Sequence, residues 1–267
     1  MICTATTDQT RSNSISAYLK ITACACLVIL LGATTSHAGS APPRPAAEET
    51  HQVAAARKAR IAVIGDSLAF ELWKGLHGAT RGYKGVELVK FTRVSTGLMR
   101  RDVFDWNRGI RDFVRSNRFD IAVVVMGGND RQTVWLKGRR LNRGSQPWLR
   151  EYAGRASGFM KTLRSTGKPV YWIGLPIVRS ASMARDYRKL NAIFRNLAGR
   201  HGIHYVDTWK AFADANGGYT SYGRDGRGAR RVMRSNDGLH FSSYGRRKFG
   251  DLVFRHLRRA LRGGGAS

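Results

Sequence analysis

Ser67 stands at a point in the sequence that suits a nucleophile. It follows an apolar run, Ile61–Ile64, and the pair Gly65-Asp66. The run predicts a short strand buried on both faces, and open parallel sheets bind their ligands just beyond the carboxyl ends of such strands. Taken alone, a serine here is also compatible with a turn or with the N-cap of a helix. Its role as a nucleophile therefore depends on the groups that the rest of the chain brings to it.

His240 is the histidine best placed to act as a general base. Asp237 precedes it by three residues, so that its carboxylate can reach the ring at Nδ1, fix the tautomer and stabilise the imidazolium. The Nε2 atom then remains free to take a proton from a serine hydroxyl. Taken alone, the Asp-x-x-His spacing is also typical of an ordinary loop pair.

Asn129 and Gly97 offer hydrogen-bond donors for a developing oxyanion. Asn129 follows the apolar run Ile121–Met126 and two glycines, which let the backbone approach a ligand closely, and its side-chain amide can donate to an oxyanion. Gly97 follows another apolar run, Val86–Phe91, and offers a backbone N–H. Each position is also compatible with a simple turn.

Three residues close to Asn129 are candidates for substrate binding. They are Asp130, Arg131 and Trp135. Trp135 is the candidate for a platform under a sugar or an acyl group, although most tryptophans pack in a core or against a loop.

His201 and His204 could be interpreted as a metal pair. Their spacing at the start of a predicted strand directs the two rings apart, and the nearest following acidic residue is Asp207. We therefore expect no metal site there.

The elements that must position these residues are those of an α/β domain from residue 60 to 262. The predicted strands are Ile61–Ile64, Val86–Phe91, Ile121–Met126, Val170–Gly174 and Ile203–Val206. The predicted helices are Leu68–Gly78, Asp102–Ser116, Pro147–Ser165, Met183–Gly199 and Tyr244–Leu261. Strands that alternate with helices of this length predict one parallel sheet with helices on both faces. The glycine- and arginine-rich segment Asn216–Arg231 lacks apolar periodicity and is predicted to be a mobile loop.

The first 59 residues have the composition of an export segment. Arg11 and Lys20 precede an apolar run of 13 residues, Ile21–Ala33, and Ser36-His37-Ala38 offers a cleavage site. This layout predicts a signal peptide over residues 1–38, cleaved after Ala38, and a periplasmic or secreted protein. The run is shorter than the roughly 20 residues of a spanning helix, and an uncleaved membrane anchor is the alternative. Residues 39–59 are predicted to be a flexible linker and residues 263–267 a disordered tail.

All three cysteines, Cys3, Cys24 and Cys26, fall within the predicted signal peptide. The mature chain is therefore expected to contain no disulfide, no thiolate nucleophile and no cysteine-ligated metal.

The net charge of +28 is large, and the basic residues are spread over every predicted helix. Most of them are expected on solvated helix faces, but their sum creates a positive field that concentrates anions. For an exported protein the expected partners are acidic or phosphorylated glycans and an anionic envelope surface. No nucleic-acid-binding signature is present, so nucleic acid is not expected. A non-catalytic polyanion-binding module is the alternative to an enzyme.

The four blocks of candidate residues resemble those of the SGNH (GDSL) hydrolase superfamily. Gly65-Asp66-Ser67-Leu68 is similar to its first block, Gly97 to the glycine of its second, Gly127-Gly128-Asn129-Asp130 to its third and Asp237-Gly238-Leu239-His240 to its last. The segments 95–98, 104–106 and 128–132 resemble an exported bacterial subgroup of uncharacterised function, the DUF459 type. The resemblance spans residues 60–262 and implies a three-layer, flavodoxin-like α/β sandwich with a five-stranded parallel sheet.

The resemblance also implies a role for each candidate residue. Ser67 would be the nucleophile, His240 the general base and then acid, and Asp237 the residue that orients His240. The N–H groups of Ser67 and Gly97 and the Asn129 amide would form the oxyanion hole, without a metal or cofactor. The implied reaction is acyl transfer through an acyl-serine. We expect an esterase that hydrolyses O-acyl esters of a cell-envelope or extracellular carbohydrate. The expected acyl group is acetyl. An O-acyltransferase that uses a glycan hydroxyl as acceptor is the alternative.

Overall fold

The computed structural model describes residues 58–263, with side chains to residue 261. The predicted signal peptide, all but the last two residues of the predicted linker, and nearly all of the predicted tail lie outside the described residues. None of the helices within the described range combines the length and apolarity needed to cross a bilayer.

Nine strands and five α-helices make up this range. The strands are β1 (Ala59–Gly65), β2 (Val86–Thr92), β3 (Ile121–Val125), β4 (Val134–Leu136), β5 (Arg139–Leu141), β6 (Val170–Ile173), β7 (His204–Val206), β8 (Tyr222–Arg224) and β9 (Arg230–Val232). The helices are α1 (Ser67–Ala79), α2 (Trp106–Arg115), α3 (Gln146–Arg164), α4 (Ala181–His201) and α5 (Ser243–Gly263), with a short 3-10 helix at Lys210–Phe212.

Five strands form one sheet in the order β2-β1-β3-β6-β7. All four pairings are parallel. Every residue of β3 is buried, and so is the apolar run of β1, as expected for strands covered on both faces. The predicted α/β fold with a five-stranded parallel sheet is confirmed, as is the existence of all five predicted strands and all five predicted helices.

The helices form two layers. The sheet grows in one direction from β1 to β2 and in the opposite direction from β3 to β7, and right-handed crossovers then place the connecting helices on opposite faces. Accordingly α1 packs against α5, while α3 packs against both α2 and α4. The largest error in a predicted boundary is the start of α2. It begins at Trp106 because the side chain of Asp105 caps it by accepting the N–H of Arg108.

The contact between α1 and α5 determines where the C-terminal residues lie. A Cβ on Gly75 would lie 2.1 Å from the carbonyl oxygen of Arg246, and one on Gly250 would lie 2.2 Å from the carbonyl carbon of Gly75. Glu71 and Arg246 form an ion pair at 3.3 Å. Both sets of contacts advance by four residues on each helix, so the two helices run parallel. One turn earlier, Ser67 therefore faces the segment that precedes α5.

Two antiparallel hairpins interrupt the α/β alternation. One consists of β4 and β5 and follows β3, while the other consists of β8 and β9 and precedes α5. The second shows that part of the segment predicted to be a mobile loop, residues 216–231, forms a hairpin. Its turn is closed by Asp225, whose Oδ1 accepts the N–H groups of Arg227 and Ala229 at 3.0 Å each.

Candidate active site

The turn between β1 and α1 presents Ser67 at the carboxyl edge of the sheet. Gly65 has a φ of +138°, and a Cβ there would lie 1.8 Å from the carbonyl oxygen of Val125, so that only glycine fits. The carboxylate of Asp66 caps α1 by accepting the N–H of Leu68 at 3.0 Å. Ser67 is the first residue of the helix, and within residues 58–263 its N–H donates to no acceptor.

Ser67, His240 and Asp237 form a continuous hydrogen-bonded chain. Ser67 Oγ lies 3.0 Å from His240 Nε2, and His240 Nδ1 lies 2.6 Å from Asp237 Oδ2. With the ring proton on Nδ1, Nε2 can accept the proton of the serine hydroxyl. The structure thus brings together the three residues to which the sequence analysis assigned nucleophilic and acid–base chemistry.

The Asp237 carboxylate is held by the loop that carries it. Its Oδ1 accepts the N–H groups of Leu239 at 2.9 Å and His240 at 3.0 Å. Partial burial raises the pKa of Asp237, but the hydrogen bonds from the His240 ring and from these two N–H groups outweigh burial and hold the pKa below its usual value. The carboxylate therefore stays ionised at neutral pH, as the orientation of His240 requires.

Arg234, which the sequence analysis did not single out, connects the His240 loop to the segment that follows β6. Its buried side chain donates to the carbonyl oxygens of Leu239 at 2.9 Å and Ile177 at 2.6 Å. The guanidinium also lies 4.1 Å from the ring centre of Phe241. Burial lowers the pKa of Arg234 to about 10, so it is still a cation at neutral pH. No local pattern distinguishes this arginine from the many exposed ones.

Three candidate oxyanion donors have no acceptor in the described part of the chain. They are the N–H of Ser67, the N–H of Gly97 and one of the two amide N–H groups of Asn129. The other amide N–H of Asn129 donates to the Thr96 carbonyl oxygen at 2.9 Å. That carbonyl belongs to the same planar peptide unit as the Gly97 N–H. Asn129 therefore fixes the orientation of the second predicted donor while keeping one N–H for a ligand.

Asp66 links the first and third sequence blocks. Its Oδ2 accepts the N–H groups of Gly127 at 3.0 Å and Gly128 at 2.8 Å, while its Oδ1 caps α1. Burial raises the pKa of Asp66 to about 7, although three backbone N–H donors act in the opposite direction. These bonds hold Ser67 in register with Asn129, a role that the sequence analysis did not assign.

The side chain of Asp130, predicted to bind substrate, is turned into the core and engaged by the protein itself. The side chain is buried and accepts the N–H groups of Leu98 at 2.9 Å and Met99 at 2.8 Å and the hydroxyl of Tyr152 at 3.1 Å. A Cβ on Gly97 would lie 2.2 Å from its carboxylate. Asp130 therefore joins the second block to the third and explains why residue 97 is glycine.

Arg131 and Trp135 lie in different surroundings. Arg131 Nε donates to Asp186 Oδ2 on α4 at 2.8 Å, so its charge is already paired. Trp135 on β4 is 72% exposed, which is exceptional for so large an apolar side chain in this protein.

Trp135 lines a groove of about 530 Å³ between the β4–β5 hairpin and the segment after Gly97. Its other lining residues include Met99, Arg100, Asp102, Gln132 and Thr133, and we call it the Trp135 groove. Met99 is joined to Asp130 and hence to Asn129, so the groove begins next to the candidate oxyanion donors. It combines an aromatic face with polar and charged groups.

The histidines considered as a metal pair are engaged separately. His201 Nε2 lies 2.8 Å from Ser157 Oγ, and the His204 ring stacks on Tyr171 with 4.7 Å between the ring centres. Among residues 58–263, no three His, Cys, Asp or Glu side chains form a group that could hold a metal ion.

The sheet order, the serine at the end of β1 and the glycine and asparagine blocks at the next strand ends define the SGNH (GDSL) hydrolase fold. The chain belongs to the DUF459 family, described as proteins of unknown function, whose model matches residues 60–256. Both statements confirm the resemblance found in the sequence. The comparison with curated proteins gave no match.

Three solved structures illustrate the fold. A GDSL-like lipase from Bacteroides thetaiotaomicron has a TM-score of 0.53 at 14% identity, with 75% of this chain and 88% of that chain covered. A catalytic mutant of the acetylxylan esterase Axe2 from Geobacillus stearothermophilus has a TM-score of 0.52 at 16% identity, covering 75% and 94%. LAE5, an α/β hydrolase enzyme from the metagenome of Lake Arreo in Spain, has a TM-score of 0.54 at 17% identity, covering 75% and 95%.

Proposed function

We propose that this protein is a serine esterase that hydrolyses O-acyl esters through an acyl-serine intermediate. The observation that carries the proposal is the chain from Ser67 Oγ through His240 to Asp237, with contacts of 3.0 and 2.6 Å, next to N–H groups that have no acceptor among residues 58–263. A nucleophile, a base with its orienting carboxylate, and oxyanion donors are the parts that acyl transfer needs.

In the proposed mechanism each step has a candidate atom. Ser67 Oγ attacks the ester carbonyl carbon while its proton passes to His240 Nε2, and the resulting oxyanion accepts from Ser67, Gly97 and Asn129. The C–O bond to the alcohol then breaks, and the alcohol leaves with the proton from His240. Water attacks the acyl-serine, gives a proton to His240, and the carboxylic acid leaves as Ser67 recovers its proton.

We further propose an O-acetylated carbohydrate as the substrate. The exposed indole of Trp135 and the polar groups beside it supply a flat apolar face with hydrogen-bonding groups around it, the chemistry that recognises a sugar ring. One protein of the same fold is named an acetylxylan esterase. The predicted signal peptide, together with the charge of +28, supports a periplasmic or secreted enzyme that acts on an envelope or extracellular polymer, anionic glycans included.

Hydrolysis of p-nitrophenyl acetate by the purified protein tests the enzymatic class. The wild type and a Ser165→Ala control, which changes an exposed serine at the end of α3, should hydrolyse the ester, while Ser67→Ala should fall to the uncatalysed background. An organophosphate probe followed by peptide mapping should find its adduct on Ser67. Unchanged turnover in Ser67→Ala, or an adduct on another serine, would overturn the assignment.

The substrate class needs a separate measurement. Acetate release from acetylated xylooligosaccharides and from purified envelope polymers should exceed that of the Ser67→Ala variant. Trp135→Ala should raise KM for the oligosaccharide and leave p-nitrophenyl acetate hydrolysis unchanged. Acetate release that is indifferent to Trp135 would contradict the sugar platform. Acetyl transfer to an added glycan in place of acetate release would favour the O-acyltransferase instead.

A further inference from the structure

A second cavity, outside the groups assigned to catalysis, lies between the β8–β9 hairpin and α5. Its volume is about 600 Å³, within the usual range for small-molecule sites. Six cationic side chains and two carboxylates are among its lining residues, which leaves four positive charges in excess. The cations are Arg224, Arg227 and Arg231 from the hairpin and Arg247, Lys248 and Arg255 from α5. We call this the basic cavity.

The two elements that form the basic cavity are joined directly. The hydroxyl of Tyr244 on α5 donates to the carbonyl oxygen of Arg224 at 2.5 Å. Arg247 and Arg255 are eight residues apart on α5, which places them on the same face of the helix, two turns apart. The cations of the helix and those of the hairpin therefore face a common space.

One of the two carboxylates is already engaged within the hairpin. Asp225 accepts the side chain of Arg231 at 2.9 Å and the N–H groups of Arg227 and Ala229. Asp251, on α5, is the other acidic residue of the lining and is exposed. Because only one carboxylate remains, most of the positive charge of the basic cavity is not compensated by the acidic residues of its lining.

The cations that α5 contributes to the basic cavity have no ionic partner among the residues that the structure describes. In the described part of the chain, Arg247, Lys248 and Arg255 form no ion pair within 4 Å. Lys248 is partly buried, and this loss of solvent lowers the pKa of its ammonium group. A half-desolvated ammonium group beside two unpaired guanidinium groups is costly unless an anion joins it.

We propose that the basic cavity binds a phosphorylated small molecule, with its phosphate held by Arg247, Lys248 and Arg255. Guanidinium groups bind phosphate oxygens through paired hydrogen bonds, and a lysine adds a point charge. A doubly charged phosphate monoester or a diphosphate matches the excess charge better than a single carboxylate does. The inference does not rest on the proposed esterase function, because the cavity contains none of the residues placed in the catalytic chain or among the oxyanion donors.

Calorimetric titration of the full chain with pyrophosphate and with glucose 1-phosphate, at constant ionic strength, tests the proposal. Saturable binding with one site per chain is expected. The double variant Arg247→Gln/Arg255→Gln should bind roughly tenfold more weakly or worse, because two charge-assisted contacts are lost. Lys248→Gln removes one charge and should lower the affinity for the phosphates by a smaller factor. It replaces the double variant in the test if the double variant fails to fold.

The matched control removes two exposed arginines elsewhere. Arg108→Gln/Arg111→Gln on α2 changes the net charge by the same amount and should leave the affinity within about twofold. Ser67→Ala should also bind normally, and the cavity variants should hydrolyse p-nitrophenyl acetate like the wild type. Equal weakening by the control pair would mean that the general positive field binds the anion and would overturn the proposal.

Vesicles distinguish a soluble phosphate from a lipid headgroup. The fraction of protein that sediments with phosphatidylglycerol vesicles is compared with the fraction that sediments with phosphatidylcholine vesicles. Saturable binding of the soluble phosphates that is lost in the cavity variants supports the proposal, whether or not vesicles also bind. No saturable binding of either soluble phosphate overturns it, and vesicle binding alone would then identify an anionic surface as the partner.

Discussion

Ser67 Oγ lies 3.0 Å from His240 Nε2, although 173 residues separate the two in the sequence. Ser67 begins α1 and His240 lies three residues before α5. The two helices run parallel and touch through backbone atoms at Gly75 and Gly250. Helix packing on one face of the sheet therefore sets the distance between the candidate nucleophile and its base.

Gly250→Ala should destabilise the protein by about 1–3 kcal/mol, because the new methyl group would overlap the backbone of Gly75. The same displacement of α5 should lower the rate of ester hydrolysis. Urea denaturation gives the free energy of unfolding, and p-nitrophenyl acetate gives the rate.

Gly154→Ala provides the control for that substitution. Gly154 lies within α3, and a Cβ there would meet nothing within 4 Å. Alanine should then stabilise the helix by roughly 0.5–1 kcal/mol. If both variants changed stability in the same direction, close packing at Gly250 would not be the reason.

Asp237→Asn should lower kcat/KM by roughly 10²–10⁴ while leaving the fold intact. An asparagine amide no longer stabilises the imidazolium form of His240 or fixes the proton on Nδ1. The side chain of Asp237 is about half exposed, at 48%, so water can replace part of its effect and the lower part of this range is expected. Asp207→Asn, which removes another partly exposed carboxylate, is the matched control and should keep wild-type kinetics. Equal losses in the two variants would point to net charge rather than to the orientation of His240.

Asn129→Ala should lower kcat by roughly 10²–10³ with little change in KM, because the lost amide N–H acts on the oxyanion of the transition state. Asn129→Asp should be at least as damaging, since a carboxylate cannot donate and would repel the oxyanion. Steady-state kinetics with p-nitrophenyl acetate measures both. If Asn129→Ala kept the wild-type kcat, Asn129 would not stabilise the oxyanion, and its role would be limited to the hydrogen bond with the Thr96 carbonyl oxygen.

The parallel sheet and its helices were predictable because their patterns are local. Apolar runs such as Ile121–Met126 predict a buried strand. Asp237 and His240 are close enough in sequence for their pairing to be inferred. The short strands β8 and β9 were not predictable. Arg230-Arg231-Val232, which forms β9, has no apolar alternation, and its pairing depends on a turn closed by Asp225.

The surroundings of single polar residues were the least predictable part of the site. Asp130 follows two glycines and an asparagine and so has the pattern of an exposed turn residue. Its partners are N–H groups 31 and 32 residues earlier in the chain, at Met99 and Leu98. Arg234 is buried against Phe241 and is held by the carbonyl of Ile177, 57 residues away. Such contacts exist only after the chain has folded, and no spacing rule indicates them.

Asp66 should make the stability of the protein depend on pH. Its pKa rises from 3.8, the value of an unperturbed aspartate such as that of the unfolded chain, to about 7 in the folded protein. Between these two values the folded state holds a proton that the unfolded chain has released. Raising the pH through this window therefore favours unfolding, and the contribution of Asp66 to stability should fall from about pH 4 to about pH 7.

The difference in unfolding free energy between the wild type and Asp66→Asn, measured by urea denaturation from pH 4 to pH 8, isolates this contribution. All other titrating groups are common to both proteins, so the advantage of the wild type should shrink as the pH rises and level off above pH 7. The asparagine amide has one oxygen that accepts hydrogen bonds, whereas Asp66 accepts with both of its oxygens. The N–H of Leu68, or those of Gly127 and Gly128, would therefore lose their acceptor. The variant is therefore expected to be less stable at low pH. An advantage that grew with pH would show that these three donors outweigh burial and keep the carboxylate ionised.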